Sequence, residues 1–97
     1  PPLAPSNVTV ASAGGVVSLF WPTNIEADVV GYFVYRPDGE PADASLWTKL
    51  TDKPVNRTTF RDDRARIGQR YAYRITAVDR YGNESPSSLP VSEIASP

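Results

Sequence analysis

A chain of 97 residues with ten basic and eleven acidic side chains, 40% hydrophobic content and neither cysteine nor histidine has room for one domain with a core of its own. The missing residue types exclude a disulfide framework, thiolate chemistry, triads built on His or Cys and most zinc sites. The net charge of −1 argues against a nucleic-acid footprint, and no apolar run approaches the ~18 residues that would insert into a bilayer.

Taken in chain order, short alternating runs are each closed by turn residues, and no segment has helical periodicity. Pro1 to Pro5 and Ser96-Pro97 read as extended linker of a longer protein, with one domain over residues 6–95. Asn7–Ala11 is the first expected strand, followed by an Ala13-Gly14-Gly15 turn. Val16–Trp21 is the second, with Val17, Leu19 and Trp21 on one face, and Pro22 ends it because proline cannot donate to a ladder. Val30–Arg36 is the third, with Val30, Tyr32 and Val34 in phase. A Pro37-Asp38-Gly39 turn and a polar loop to Ser45 lead to short strands at Trp47–Leu50 and Thr58–Arg61. Arg70–Asp79 is the longest signal, with Tyr71, Tyr73, Ile75 and Ala77 inward and Arg70, Arg74 and Thr76 outward. In the last strand, Val91–Ile94, the two apolar ends differ in parity, so either a bulge sits there or one of them faces out. Seven such strands predict an all-β, antiparallel two-sheet sandwich of immunoglobulin-like type.

Several of these residues also carry a family likeness. Val17-x-Leu19-x-Trp21-Pro22, Gly31-Tyr32-Phe33-Val34-Tyr35-Arg36, Phe60-x-Asp62 and Ile67-Gly68-Gln69-Arg70-Tyr71 occur in the order and spacing of a fibronectin type III domain, which the chain resembles from about Pro5 to Ile94. The resemblance implies that Trp21 anchors the core and that Tyr71 is the tyrosine of a "tyrosine corner". The stretch Ala77 to Ser85 is similar to modules of secreted bacterial proteins. No Arg-Gly-Asp tripeptide lies between the sixth and seventh strands.

Candidate chemistry is sparse. Asp62 and Asp63 are the obvious carboxylate pair, but adjacent strand residues point opposite ways and do not converge on a substrate; both read as turn or surface carboxylates, and no catalytic activity is expected. Asp79, Asn83 and Glu84 have an oxygen-rich spacing open to two readings, a calcium loop or a turn closed by its own backbone bonds. No cofactor is expected. Asn7-Val8-Thr9, Asn56-Arg57-Thr58 and Asn83-Glu84-Ser85 match the glycosylation sequon. The seven arginines after residue 56 read as salt-paired surface, with anionic ligand binding as the second reading. Phe33, Tyr35, Arg74 and Thr76 fall on outward phases of neighbouring strands. They form either a contact face, in which rings supply area and Arg supplies cation–π or bidentate bonding, or cross-strand pairs that shield one another.

The expected role is therefore a non-catalytic module of a multidomain extracellular, cell-surface or periplasmic protein, acting as spacer or protein-interaction unit. Its partners would be the flanking domains of its parent, another protein, or a polysaccharide, and the isolated domain should be a monomer. The alternatives are a glycan-binding accessory module using Phe33, Tyr35, Trp47 or Tyr81 as stacking platforms, and a receptor or adhesion ectodomain.

Overall fold

In a computed structural model that describes residues 2–37 and 47–97, seven strands follow one another. They are β1 (Thr9–Ala13), β2 (Val16–Phe20), β3 (Val29–Pro37), β4 (Trp47–Lys49), β5 (Thr59–Asp62), β6 (Arg70–Asp79) and β7 (Val91–Ile94). The expected turn at Pro37-Asp38-Gly39 and the loop to Ser45 lie outside the described residues, apart from Pro37 as the last residue of β3. One sheet has the order β1-β2-β5 and the other β4-β3-β6-β7, with every pairing antiparallel.

Local chemistry sets where each strand starts and stops. Asn7 has φ 54, a left-handed conformation that no strand residue adopts, so β1 begins at Thr9 rather than at Asn7. It runs on to Ala13, where Gly14 and Gly15 (φ 62 and 78) form a two-residue hairpin turn that requires positive φ at both positions. In β3 the register passes from Val29↔Asp79 to Gly31↔Val78, leaving an extra residue. This bulge corrects the expected phase: Val30 is turned out, 51% exposed, and Val29 packs against the core in its place. In β7 the pairing with β6 is regular from Tyr73↔Val91 to Arg70↔Ile94. No bulge is present there; Val91 packs inward and Ile94 is exposed.

Between the sheets lie Val17, Leu19, Trp21, Tyr32, Val34, Tyr71, Tyr73, Ile75 and Ala77. Trp21 meets Tyr32 edge to face at 5.4 Å, an arrangement favoured by the ring quadrupoles. The corner expected at Tyr71 is formed, with the Arg66 N–H donating to the Tyr71 hydroxyl at 2.7 Å. Gly31 has a steric role. Tyr32 and Val55 exchange both backbone hydrogen bonds at 2.9 Å, which brings the chain so close that a Cβ on Gly31 would lie 2.6 Å from the Pro54 Cβ and 2.9 Å from the Val55 carbonyl oxygen.

Asp62 departs from the expectation of a surface carboxylate. It is 4% exposed, and its Oδ2 accepts from Arg36 Nη1 at 2.6 Å and from the Tyr73 hydroxyl at 2.6 Å. Its position on β5 in phase with Val17 points it between the sheets, where it bonds to β3 and β6 of the opposite one. Asp63 is exposed, so the two carboxylates do point apart.

The ends of the chain are held at opposite poles. Leu3 N–H donates to Glu26 Oε2 at 2.5 Å, and Asn24 Nδ2 donates to the Leu3 carbonyl at 2.8 Å. At the other pole the Ser96 N–H donates to Ser12 Oγ, Ser96 Oγ donates to the Ser12 carbonyl, and Gly15 N–H donates to the Ser96 carbonyl, each at 2.8 Å. Both residues lie in segments expected as linker, and both are tied to the sandwich.

Two stability outcomes follow from this packing. Asp62→Ala strands the Arg36 guanidinium beside the core and is expected to cost about 3 kcal/mol in urea unfolding, while Asp63→Ala stays within ~0.5 kcal/mol; equal losses would contradict the inter-sheet role. Gly31→Ala is expected to cost about 1–3 kcal/mol through overpacking against Pro54, and an unchanged midpoint would contradict the close approach.

Candidate functional site

Phe33, Tyr35, Arg74 and Thr76 do come together on the outer face of the four-stranded sheet, because the register pairs Phe33 with Thr76 and Tyr35 with Arg74. β4 extends the group by placing Lys49 opposite Tyr35. The Lys49 ammonium lies 3.7 Å from the Phe33 ring centroid and 5.8 Å from that of Tyr35. The Arg74 guanidinium covers the Trp47 ring at 4.4 Å. Each cation sits where the negative ring face attracts it, so Phe33 and Trp47 each have a ring face capped by the protein itself.

Thr76 is not presented to solvent. It is 5% exposed, and its hydroxyl donates to Glu84 Oε2 at 2.6 Å; the Tyr35 hydroxyl donates to the same oxygen. Burial would raise the Glu84 pKa, but these two hydroxyl bonds and the field of Lys49 outweigh it and hold the carboxyl below its usual range. Burial, together with the bond to Glu84 and its charge, pushes the Tyr35 phenol up to about 12. The face thus holds an ionised carboxylate and a neutral phenol, neither suited to exchange a proton near neutral pH. Among the described residues the Arg74 Nε and Trp47 Nε1 are buried without a hydrogen-bond partner.

Sequence reasoning placed the four residues but missed Lys49 and treated Glu84 only as part of a turn. The alternation of β4 was too short to phase Lys49. Glu84 reaches the sheet through an isolated bridge to Val78, which no periodicity announces.

The calcium reading of the turn after β6 is not supported by its geometry. The Asp79 carboxylate accepts from the Tyr81 N–H and Asn83 N–H at 2.9 Å and from Asn83 Nδ2 at 3.1 Å. These bonds hold its pKa down against the upward push of burial, and Glu84 points away to Thr76. Among the described residues no His, Cys, Asp and Glu cluster has metal-ligand geometry. Tyr81 is 76% exposed on this turn, apart from the ladder. The sequon asparagines Asn7, Asn56 and Asn83 are all exposed.

The raised phenols give the domain an alkaline limit. Tyr73 is also pushed up, by burial and by its bond to Asp62, whereas an unfolded tyrosine titrates near ~10. A folded pKa above the unfolded one means that the stabilisation is fully present below pH ~10 and is lost as pH rises through the folded value of Tyr35, about 12. Urea midpoints measured upward from pH ~9 should fall above ~10, less steeply in Tyr35→Phe; a flat profile would contradict the coupling.

Comparison with known proteins bears on this arrangement. The family described as "Fibronectin type III domain SaeA third domain" matches residues 5–96. The chain is similar to the amylopullulanase of Thermoanaerobacterium thermosulfurigenes, 41% identical over 85 residues, which are 87% of this chain and 4% of that protein. It is likewise similar to the amylopullulanase of Thermoanaerobacterium saccharolyticum, 40% identical over 88 residues, 91% of this chain and 6% of that one. It therefore spans only about one-twentieth of the length of these relatives. Among solved structures, an Fn3-like protein from Clostridium thermocellum superposes with a TM-score of 0.77 at 20% identity, covering 94% of this chain and 90% of that one. A beta-1,2-glucanase from Parabacteroides distasonis superposes with a TM-score of 0.78 at 22% identity, covering 100% of this chain and 13% of that one. The sandwich, its tyrosine corner and the match across residues 5–96 agree: the chain belongs to the fibronectin type III family.

Proposed function

We propose that this non-catalytic module serves as a spacer within a larger extracellular carbohydrate-active protein, setting the distance and direction between its neighbours. The observation that carries this reading is the placement of the chain ends. They lie at opposite poles of a body measuring 39 × 25 × 22 Å, and both are fastened by hydrogen bonds through Leu3 and Ser96. A segment that enters at one pole and leaves at the other separates whatever flanks it. The amylopullulanase relatives, in which the matching stretch is a small part of a long enzyme, support the carbohydrate-active setting and the location outside the cell.

The same face weighs against glycan stacking. A sugar stacks on an open ring face, whereas Lys49 and Arg74 each cap a face of Phe33 and Trp47; Tyr81, 76% exposed, is the open ring among the candidate platforms and lies on a turn apart from this face. A protein-contact role for Phe33, Tyr35, Arg74 and Thr76 would rest on the half-buried Phe33, Tyr35 and Arg74 alone, because Thr76 is buried and the Arg74 Nε and Trp47 Nε1 are shielded from a partner, and it stands second.

The chain contains no cysteine, so Leu3→Cys with Pro97→Cys allows spin labels at the two poles alone and leaves the Ser96 bonds intact. The expected result is one narrow distance distribution set by the 39 Å long axis, together with unretarded migration in gels containing amylose or pullulan. A broad or short distribution would sink the spacer reading. Retardation abolished by Phe33→Ser with Tyr35→Ser would replace it with glycan binding.

A further inference from the structure

The spacing role makes no use of the open edge of the three-stranded sheet, where β5 pairs with β2 alone. A groove of about 470 Å³ runs between residues 54–57 and this edge. Pro54, Val55 and Phe60 give it an apolar floor, and Asn56, Arg57, Thr59 and Arg61 give it polar walls. The floor is preformed: Val55 and Phe60 pack on the core, and both backbone groups of Val55 are committed to Tyr32.

Ladder geometry shows which backbone groups border the groove. The Trp21 N–H donates to the Thr58 carbonyl at 3.1 Å, and bonded pairs alternate along an antiparallel ladder. With Leu19 opposite Phe60 and Val17 opposite Asp62, it is Thr58, Phe60 and Asp62 that bond to β2. The N–H and C=O groups of Thr59 and Arg61 consequently turn to the free edge, and both residues line the groove. Among the described residues nothing bonds to these outward groups.

The charge there has one sign. Arg57 and Arg61 are exposed, and the one ion pair among the described residues joins Arg36 to Asp62, whose carboxylate faces the core. Neither groove arginine has a carboxylate partner among the described residues.

We propose that the β5 edge is a docking strand for an extended acidic segment of a partner protein. The segment pairs its backbone with Thr59 and Arg61, sets apolar side chains on Val55 and Phe60, and places acidic side chains against Arg57 and Arg61. A free ladder edge is what selects a peptide over an anionic saccharide, because only a peptide continues the alternation of donors and acceptors. Strand alternation puts acidic and apolar side chains on opposite sides of such a segment, matching arginines on one side and floor on the other. The four-residue length of β5 keeps the contact short and the affinity modest.

The test is a titration of the isotope-labelled chain, followed through its backbone amides, with a synthetic peptide of alternating Glu and Val. Alternating Lys and Val, an N-methylated Glu-Val peptide and polygalacturonate serve as comparison probes. Saturable shifts should centre on Arg57, Thr59 and Arg61, weaken about tenfold or more in Arg57→Glu with Arg61→Glu, and be absent with the N-methylated peptide. The doubly substituted chain should instead take the Lys peptide, with an unchanged urea midpoint showing that it remains folded. Equal binding of the Glu and Lys peptides, undiminished binding of the N-methylated one, or response to polygalacturonate alone would each overturn the proposal. So would silence at millimolar peptide, which would leave the arginines as guards against edge pairing.

Discussion

The two sheets of this sandwich are joined by one carboxylate. Asp62 leaves the three-stranded sheet and bonds to Arg36 on β3 and Tyr73 on β6 of the other, and the Arg36 guanidinium also lies 5.0 Å from the Tyr71 ring. In a chain without cysteine, no covalent bridge fixes one sheet against the other. Apolar packing alone resists separation well but tolerates sliding, since dispersion is non-directional. Two donors from different strands meeting at one carboxylate tolerate neither. The net gain from burying an ion pair is small after desolvation, but the loss on breaking it is large, so Asp62 acts chiefly on the relative position of the sheets. The contact also keeps Arg36 beside the tyrosine corner, linking two features that lie far apart in the sequence.

The register so maintained has a consequence on the outer face. With β6 opposite β3 and β4 beside it, Tyr35 receives Arg74 on one side and Lys49 on the other. Aromatic and cationic side chains must then interleave, and they satisfy one another. The outer edge of β3 is covered as well: Leu50 N–H donates to the Val34 carbonyl, and Val55 pairs with Tyr32. The edge of β5 has no equivalent cover. Exposed recognition capacity is therefore unequal, low on the aromatic sheet face and higher on the narrow side where backbone groups remain open.

Much of this was legible in residue order. β6 alternates in burial from Arg70 to Ile75 before both faces become covered toward Asp79, and Tyr71, Tyr73, Ile75 and Ala77 share one phase in the sequence. Val17, Leu19 and Trp21 were legible for the same reason. Val30 was not, because a bulge between Val29 and Gly31 adds one residue and inverts the parity before it; Gly31 was the one signal within the run. The start of β1 was misplaced because the sequence does not show that Asn7 takes positive φ. The candidate face was legible as four outward residues, but its closure by Lys49 and Glu84 depends on tertiary neighbours that alternation cannot rank. Asp62 was the largest omission. An acidic residue at a strand end is ordinarily solvated, and only the arrival of Arg36 and Tyr73 from other strands makes burial tolerable.

How the ends are fastened determines how firmly the long dimension is kept. β1 and β7 both run from the Leu3 pole toward the Ser96 pole, and Ser96 bonds back to Ser12 and Gly15. Freeing the last residues means breaking these bonds and those of Ala95, whose N–H donates to the Gln69 carbonyl and whose carbonyl accepts from Gly68. Ala95 is also buried, so its release would expose apolar surface. Fraying at that pole therefore removes several contacts together, unlike the unattached tail that proline- and serine-rich composition suggests. At the other pole the two bonds to Leu3 come from Asn24 and Glu26, while the Asn24 N–H donates to the Tyr32 hydroxyl at 2.8 Å. Tyr32 belongs to the core, and through it the entering chain is connected to the packing between the sheets. Both ends thus draw their rigidity from the sandwich itself, and the separation between them persists for as long as the sheets stay in register.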